Sequence, residues 1–536
     1  MPCSPRCSAL RRPVERTEGH PPGPVSTNAV REKLVTAFWL TDAPVDIMTW
    51  RKRPVIYEIA TWVWLDELRS RYRQPLTLAT IPAQEWDALA DLAVDAVWLM
   101  GVWERSPAGL AAANANPDLQ AEFRRVLLDY HPEDNVGSAY CVRDYIVAAH
   151  LGGPDALRQA RAELDIRGRR LVLDFVPNHL AMDHPWALQH PEYFIGGNYE
   201  DLARAPQEFV DVEGRVYAHG RDPYFPPWRD VIQVNAFNTD LRAAAIATVN
   251  SIAAQCDGMR CDMAMLMLND IFARTWSARA GRRPPTEYWQ DLIPAVKARY
   301  PDVLFIAEAY WDLEYELMQK GFDYCYDKRL YDRLVHDNAE SVRAHLTAGV
   351  DYQDQLVRFI ENHDESRAAA TFSGSAQRAA AVVVATTPGA KLIYNGQIEG
   401  RTIKLPVFLA RRPAEPRDDA TAAFYRSLLS TTHADLFHEG EWHLCDRHGW
   451  PDNASFHNIV AWSWRLGGER TLVVVNLAEH RSQAIVQVPW NDLRGRTWRL
   501  VEALGGECSV RDGDELSTAG LFVELDAGCY HFLKFE

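Results

Sequence analysis

From residue 54 the chain alternates short β-branched runs with longer helical patterns, and it sustains this over about 350 residues. Eight strand candidates stand in series: VIYEIA (55–60), DAVWLM (95–100), RRLVLDFV (169–176), DGMRCDM (257–263), DVLFIAEAY (302–310), FDYCYD (322–327), LVRFIENHD (356–364) and KLIYNG (391–396). Helical patterns separate most of them, at 83–93, 153–165, 240–255 and around 287–299, with Asp240 placed as an N-cap. Runs such as LVLDFV and VLFIAE are apolar on both faces, as strands of a buried parallel sheet must be. An α/β fold follows, a (β/α)₈ TIM barrel. A doubly wound sheet is the structural alternative, but no GxGxxG follows the first strand.

Two stretches break the rhythm. Residues 101–150 form a long excursion containing the Ala- and Asn-rich SPAGLAAANANPD. Residues 180–235 are irregular and rich in Pro and aromatics, which predicts a loop subdomain or lid after the third strand. From about residue 433 helical periodicity stops, and strands separated by turns predict a C-terminal antiparallel β-sandwich over 433–536. The catalytic barrel is therefore expected at 48–432. The first 47 residues, rich in Pro, Arg and Ser without an apolar core, read as a disordered tail rather than a secretory signal. Met48, directly before TWRKRPVIYEIA, is a candidate natural start.

Charge narrows the function. The net charge of −16 disfavours nucleic acid and anionic membrane as partners, and no apolar run is long enough to span a bilayer. Nine scattered cysteines show no CxxC or zinc spacing. A reducing, cytoplasmic setting is the expectation. No feature of the sequence specifies an oligomeric state.

In a barrel, chemistry sits where strands end and loops begin. The third strand ends in Asp174, Asn178 and His179. The fourth carries Arg260 and Asp262, the fifth ends in Glu308, and the seventh in His363 and Asp364. Glycoside cleavage needs two carboxyl groups in different protonation states. Arg260 lies two residues before Asp262 on a strand, so both side chains face one way and the cation favours an ionised nucleophile at Asp262. Glu308 follows the apolar VLFIA, and burial beside other carboxylates suits it as the acid/base. Asp364 is left as a third acid to hold sugar hydroxyls, with His179 and His363 as hydroxyl donors. Asp174 reads equally as a brace for Arg260, and Asn178 more as a hydrogen-bonding brace than as a metal ligand.

These segments resemble the four signature regions of the α-amylase superfamily, in order: DFVPNH (174–179), GMRCDMAML (258–266), FIAEAYWD (305–312) and FIENHDESR (359–367). GSAYCVRDY (137–145) is similar to the segment after the second strand, YNGQIEG (394–400) to the eighth-strand segment, and VIQVNAFN (231–238) to the region before the fourth. The resemblance implies Asp262, Glu308 and Asp364 as catalytic residues. It implies Tyr140, Asp144, His179, Arg260 and His363 as substrate-binding residues, with Tyr140 stacking on the sugar. It implies a retaining α-glycosidase or α-glucosyltransferase acting on oligosaccharides or disaccharides through a covalent glycosyl-enzyme intermediate. A sugar isomerase or transglycosylase shares every one of these residues, and a non-catalytic carbohydrate-binding protein would be expected to lack one of the acids. No certain cofactor is implied; calcium enters only through Asn178, which matches a calcium ligand of many relatives. Met265 and Leu266 stand where endo-acting relatives carry Lys-His, which turns the expectation from polymeric starch toward short substrates.

Overall fold

The computed structural model describes residues 50–536; the expected tail at 1–47 and the candidate start Met48 lie outside the described residues. Eight strands close into a parallel barrel: β1 (Val55–Ala60), β2 (Ala96–Met100), β3 (Arg170–Phe175), β4 (Gly258–Cys261), β5 (Leu304–Ala307), β6 (Tyr324–Tyr326), β7 (Leu356–Arg358) and β8 (Ala390–Tyr394). Each pairs with its sequence neighbour, and β1 closes the ring on β8 with Tyr57 opposite Ile393. Every residue of β1, β2, β4 and β8 is buried, which explains why they are apolar but for Glu58, Arg260 and Lys391.

Side chains alternate between two cores because the strand period is two. Ile56, Trp98, Val172, Ile306, Val357 and Leu392 form one cluster. Tyr57, Val97, Leu171, Met259 and Phe305 form another with the surrounding helices. Glu58, Asp174, Arg260 and Glu308 have the parity of the first set, so the alternation that fills the barrel also points these polar groups toward its axis. Gly389 leads into β8 at φ 98°, where a Cβ would stand 2.5 Å from the Leu356 carbonyl oxygen.

The excursion after β2 folds as a two-stranded ribbon (Trp103–Arg105 with Val142–Val147) and two helices, Pro107–Ala115 and Pro117–Val126. The segment expected to be irregular after β3 contains a four-stranded antiparallel sheet built from His179–Ala181, Trp228–Gln233, Arg215–Gly220 and Phe209–Val212. The Pro-rich connections between them, and the brevity of two of the four, masked those strands. The helix before β4 runs Thr239–Ala253 and is capped by Asn238, whose Oδ1 accepts from the Asp240 and Leu241 amides at 2.9 Å. Asp240, expected to cap it, instead lies in the first turn. Beyond the barrel a six-stranded and a three-stranded antiparallel sheet enclose a core of Ile459, Leu472, Val474, Val486, Val523 and Leu525. No described helix is long and apolar enough to cross a membrane.

Candidate active site

The site is assembled at the carboxyl-terminal ends of the barrel strands. Register places Arg260 beside Asp174 on one side and beside Ile306, two residues before Glu308, on the other. The Arg260 guanidinium is 1% exposed and is the hub. Its Nη1 donates to Asp262 Oδ1 at 2.7 Å, and its Nη2 stands 2.8 Å from Glu308 Oε2. Asp174 Oδ1 and Asp364 Oδ2 each lie 3.9 Å away. The same cation sits over the rings of Trp98, Tyr140 and Tyr326. A fully buried guanidinium shared among carboxylates neutralises part of their charge and fixes their positions.

Glu308 is held at both oxygens. Tyr310 Oη donates to Oε1 at 2.9 Å and the Met263 amide donates to Oε2 at 2.5 Å. Burial raises its carboxyl to about 7; Arg260 pulls it down, while Asp262 and Asp364 push it up. Asp364 opens to the cleft. Desolvation acts to raise its carboxyl, but His363, Arg260 and Lys404 more than reverse this and hold it below the ordinary carboxylate range.

His363 is the second hub. Its Nδ1 donates to Glu58 Oε1 at 2.5 Å. Its Nε2 lies 2.7 Å from the Tyr140 hydroxyl and 2.9 Å from Asp364 Oδ2. Burial opposes its charged form, yet Asp364 and Glu58 keep the imidazole protonated well above its usual range. Tyr140 stacks on this ring at 5.2 Å between centroids. His179 is buried against Trp228 at 5.0 Å, and burial lowers its pKa.

A cavity of about 290 Å³ is lined by Tyr140, His179, Asp262, Glu308, Asp364 and, from the neighbouring segments, Trp228, Asp230, Met263, Tyr310 and Phe408. The structure thus brings together seven of the eight site residues expected from sequence, Arg260 and His363 lying just beneath the lining. Asp144 is not brought to it. It sits in the ribbon strand Val142–Val147 opposite Glu104, outside the lining of the cleft, because the strand directs the neighbouring Tyr145 hydroxyl to the Val176 backbone instead. Glu58 and Tyr310 were missed. Each carried a signal: a lone acid inside an apolar strand, and a hydroxyl two residues beyond Glu308 on the same face.

Asn178 does not fit a calcium site. Its side-chain oxygen accepts from Gln233 Nε2 at 2.9 Å and its side-chain nitrogen donates to Gln233 Oε1 at 3.3 Å, a closed pair of amides in a buried pocket. Met265 and Leu266 are buried in a short 3₁₀ turn, and of this run Met263 faces the cleft.

A closed parallel barrel with three carboxylates gathered round one arginine at its carboxyl-terminal mouth defines a TIM-barrel enzyme of the glycoside-hydrolase type. Comparison with known proteins agrees. A family model described as the alpha-amylase catalytic domain matches residues 83–423, and the chain belongs to the α-amylase family. It is 26% identical over 368 residues to "Alpha-amylase MalA" of Haloarcula japonica, covering 67% of this chain and 46% of that protein. It is 24% identical over 206 residues to an alpha-1,4-glucan:maltose-1-phosphate maltosyltransferase of Burkholderia pseudomallei, covering 36% of this chain and 15% of that one. The chain spans less than half the length of these curated relatives. Among solved structures it resembles the maltogenic alpha-amylase AmyB of Thermotoga neapolitana, with TM-score 0.63, 18% identity, and coverage of 90% of this chain and 99% of that one. It also resembles an isomaltulose synthase from Klebsiella, with TM-score 0.61, 16% identity, and coverage of 91% and 99%. These likenesses concern the fold.

Proposed function

We propose that the cleft cleaves or transfers α-glucosidic bonds of oligosaccharides or disaccharides with retention, through a covalent glycosyl-enzyme intermediate. Asp262 is the nucleophile, its Oδ1 held by Arg260 Nη1 at 2.7 Å. Glu308 is the acid/base: protonated, it gives its proton to the departing glycosidic oxygen, then takes one from the incoming water or sugar hydroxyl. Asp364 and His363 hold hydroxyls of the distorted ring, Tyr140 stacks on its apolar face, and His179 donates from the opposite wall. The observation that carries this reading is the pair of carboxyls held on Arg260, Asp262 Oδ1 at 2.7 Å and Glu308 Oε2 at 2.8 Å, with burial raising the Glu308 carboxyl to about 7. Met265 and Leu266 are buried and give no polar hold on a leaving chain, which supports short substrates over polymeric starch. The seven described cysteines are free thiols, which fits a reducing cytoplasmic setting.

The test is a screen of maltose to maltoheptaose, sucrose, trehalose, isomaltose and soluble starch, with the anomer of the first-formed product read by NMR. An α product is expected, and Asp262→Asn should lower kcat by at least about 10⁴-fold, the scale on which removing a nucleophile acts. A β product, or full activity in Asp262→Asn, overturns the reading.

A further inference from the structure

A second cluster of ligating side chains lies at the opposite end of the barrel from the cleft. Asp95 immediately precedes β2, so it stands at the amino-terminal face. There it meets His433, at the end of the helix Asp419–Thr432, and His438, in the short helix Asp435–Glu439. One ligand atom from each lies within 4.8 Å of the other two, and among the described residues no other group of three or more such side chains does so.

The hydrogen bonding around the cluster points into it. His438 is 2% exposed. Its Nδ1 lies 2.9 Å from the Lys52 carbonyl oxygen, to which it donates, and this leaves the Nε2 lone pair facing inward. That Nε2 is buried without any hydrogen-bond partner, and a buried acceptor left unpaired is uncommon without a reason. An imidazole that donates one N–H to a backbone carbonyl and keeps the other nitrogen bare is arranged as metal-bound imidazoles are. Burial pushes its pKa down to about 4 against the pull of Asp95, so the lone pair stays available. Asp95 is oriented in the same sense: Oδ2 accepts from the Val55 amide at 2.8 Å, and Oδ1 is left for the cluster. A cation already stands at the rim. Arg51 Nη1 is 3.6 Å from Asp95 Oδ1 and 3.3 Å from both ring nitrogens of His433, while its Nη2 pairs with exposed Asp435.

We propose that Asp95, His433 and His438 form a binding site for a zinc-type divalent transition ion, with Arg51 as the cation that holds the site when the ion is absent. Two imidazoles and one carboxylate suit zinc or cobalt and do not suit calcium or magnesium, which take all-oxygen sets. Ligand bonds of about 2.0–2.2 Å require the three groups to draw together by about an ångström, and Arg51 to swing toward Asp435. The ion would tie the start of β2, and through Val55 the start of β1, to the segment that leads from the last barrel helix into the C-terminal sheets. Its role is structural, since no group of the cleft takes part.

The test uses the full chain after chelation and dialysis, titrated with zinc chloride by calorimetry and with cobalt chloride by visible absorption. His433→Gln keeps a half-exposed position polar and leaves the cleft untouched. Wild type is expected to bind one zinc more than His433→Gln, or to bind it at least about tenfold more tightly, since losing even a supporting partner of a ligand costs about 10–100-fold. Cobalt should give the d–d bands of a low-coordinate nitrogen–oxygen site only in wild type, and zinc should raise Tm with the logarithm of its free concentration. Arg51→Ala, which removes the competing cation, should tighten zinc binding. Equal stoichiometry and affinity in wild type and His433→Gln would overturn the site, and so would an Arg51→Ala variant whose affinity is unchanged or weaker.

Discussion

The chemistry of single residues here rests on two charged hubs, Arg260 and His363, that share Asp364 between them. Two predictions belong at this scale. Glu308 must be protonated to act as an acid, and its carboxyl sits at about 7. The kcat/KM profile should therefore fall about tenfold per unit as pH rises above about 7. Asp364 is one of the charges that raise Glu308, so Asp364→Asn should move the alkaline limb of its residual activity to lower pH. A limb that stays flat to pH 9, or that moves up in the variant, would remove Glu308 from the acid role. Glu58 is the second case. It is fully buried and holds His363 Nδ1. Glu58→Ala leaves the imidazolium short of one carboxylate in a buried site, and breaking such a pair costs about 3–5 kcal/mol. Because the folded pKa of His363 is raised, the stabilisation is fully present below the unfolded value near 6.5 and is lost as pH rises through the folded value. The loss in Glu58→Ala, read by urea unfolding, should therefore be larger at pH 6 than at the highest pH where the protein stays folded.

At the scale of elements, the strands were legible and their caps and insertions were less so. Six of the eight barrel strands lie within a residue or two of their sequence limits because a strand buried on both faces leaves a largely apolar run; β5 and β7 end three and six residues before theirs, where the chain already leaves the barrel to form the site. The residues at the barrel mouth were readable for the same reason, since a period of two fixes which side chains point to the axis. What the sequence hid was pairing. Two strands of the sheet that follows β3 have only three and four residues, too few for alternation to register, and the other two mix polar and aromatic residues without an apolar run. Glu58 was hidden because its partner, His363, is 305 positions away. The cap of Thr239–Ala253 shows the limit most simply: Asn238 and Asp240 are both good caps, and only the backbone shows that Asn238 has the extended conformation a cap needs. Asn238→Ala should cost about 1 kcal/mol in urea unfolding, and Asp240→Ala no more than about 0.5 kcal/mol, the scale of a charge near a helix start. Equal costs would mean that the capping bonds do not hold in solution.

At the scale of the whole molecule, the sequence pattern changes near residue 433 while the core does not. Trp462, Trp464, Val473, Val475 and Phe532 of the C-terminal sheets belong to the same buried cluster as Val382, Val383, Leu428 and Leu429 of the barrel helices. The indoles of Trp462 and Trp464 both donate to the Thr386 carbonyl, at 2.9 and 2.6 Å. Arg53, just before β1, lies over the Trp464 ring at 4.8 Å and donates to the His438 and Gly440 carbonyls at 3.0 and 3.1 Å. A chain stopped at residue 432 would expose that apolar face. It would also strip Arg53 of its two carbonyl acceptors, leaving it the pair with Asp354, and would remove both indole donors from the Thr386 carbonyl. Such a chain should fail to unfold cooperatively and should aggregate. The same argument holds without truncation. Trp464→Ala opens a large cavity under the helices and removes the platform for Arg53, so it should destabilise by about 3–5 kcal/mol in urea. It leaves kcat near wild type at temperatures where the protein stays folded, because none of these contacts reaches the cleft. A fragment ending at 432 that melts cooperatively at the Tm of the full chain would show instead that barrel and sheets are separate cores that merely touch.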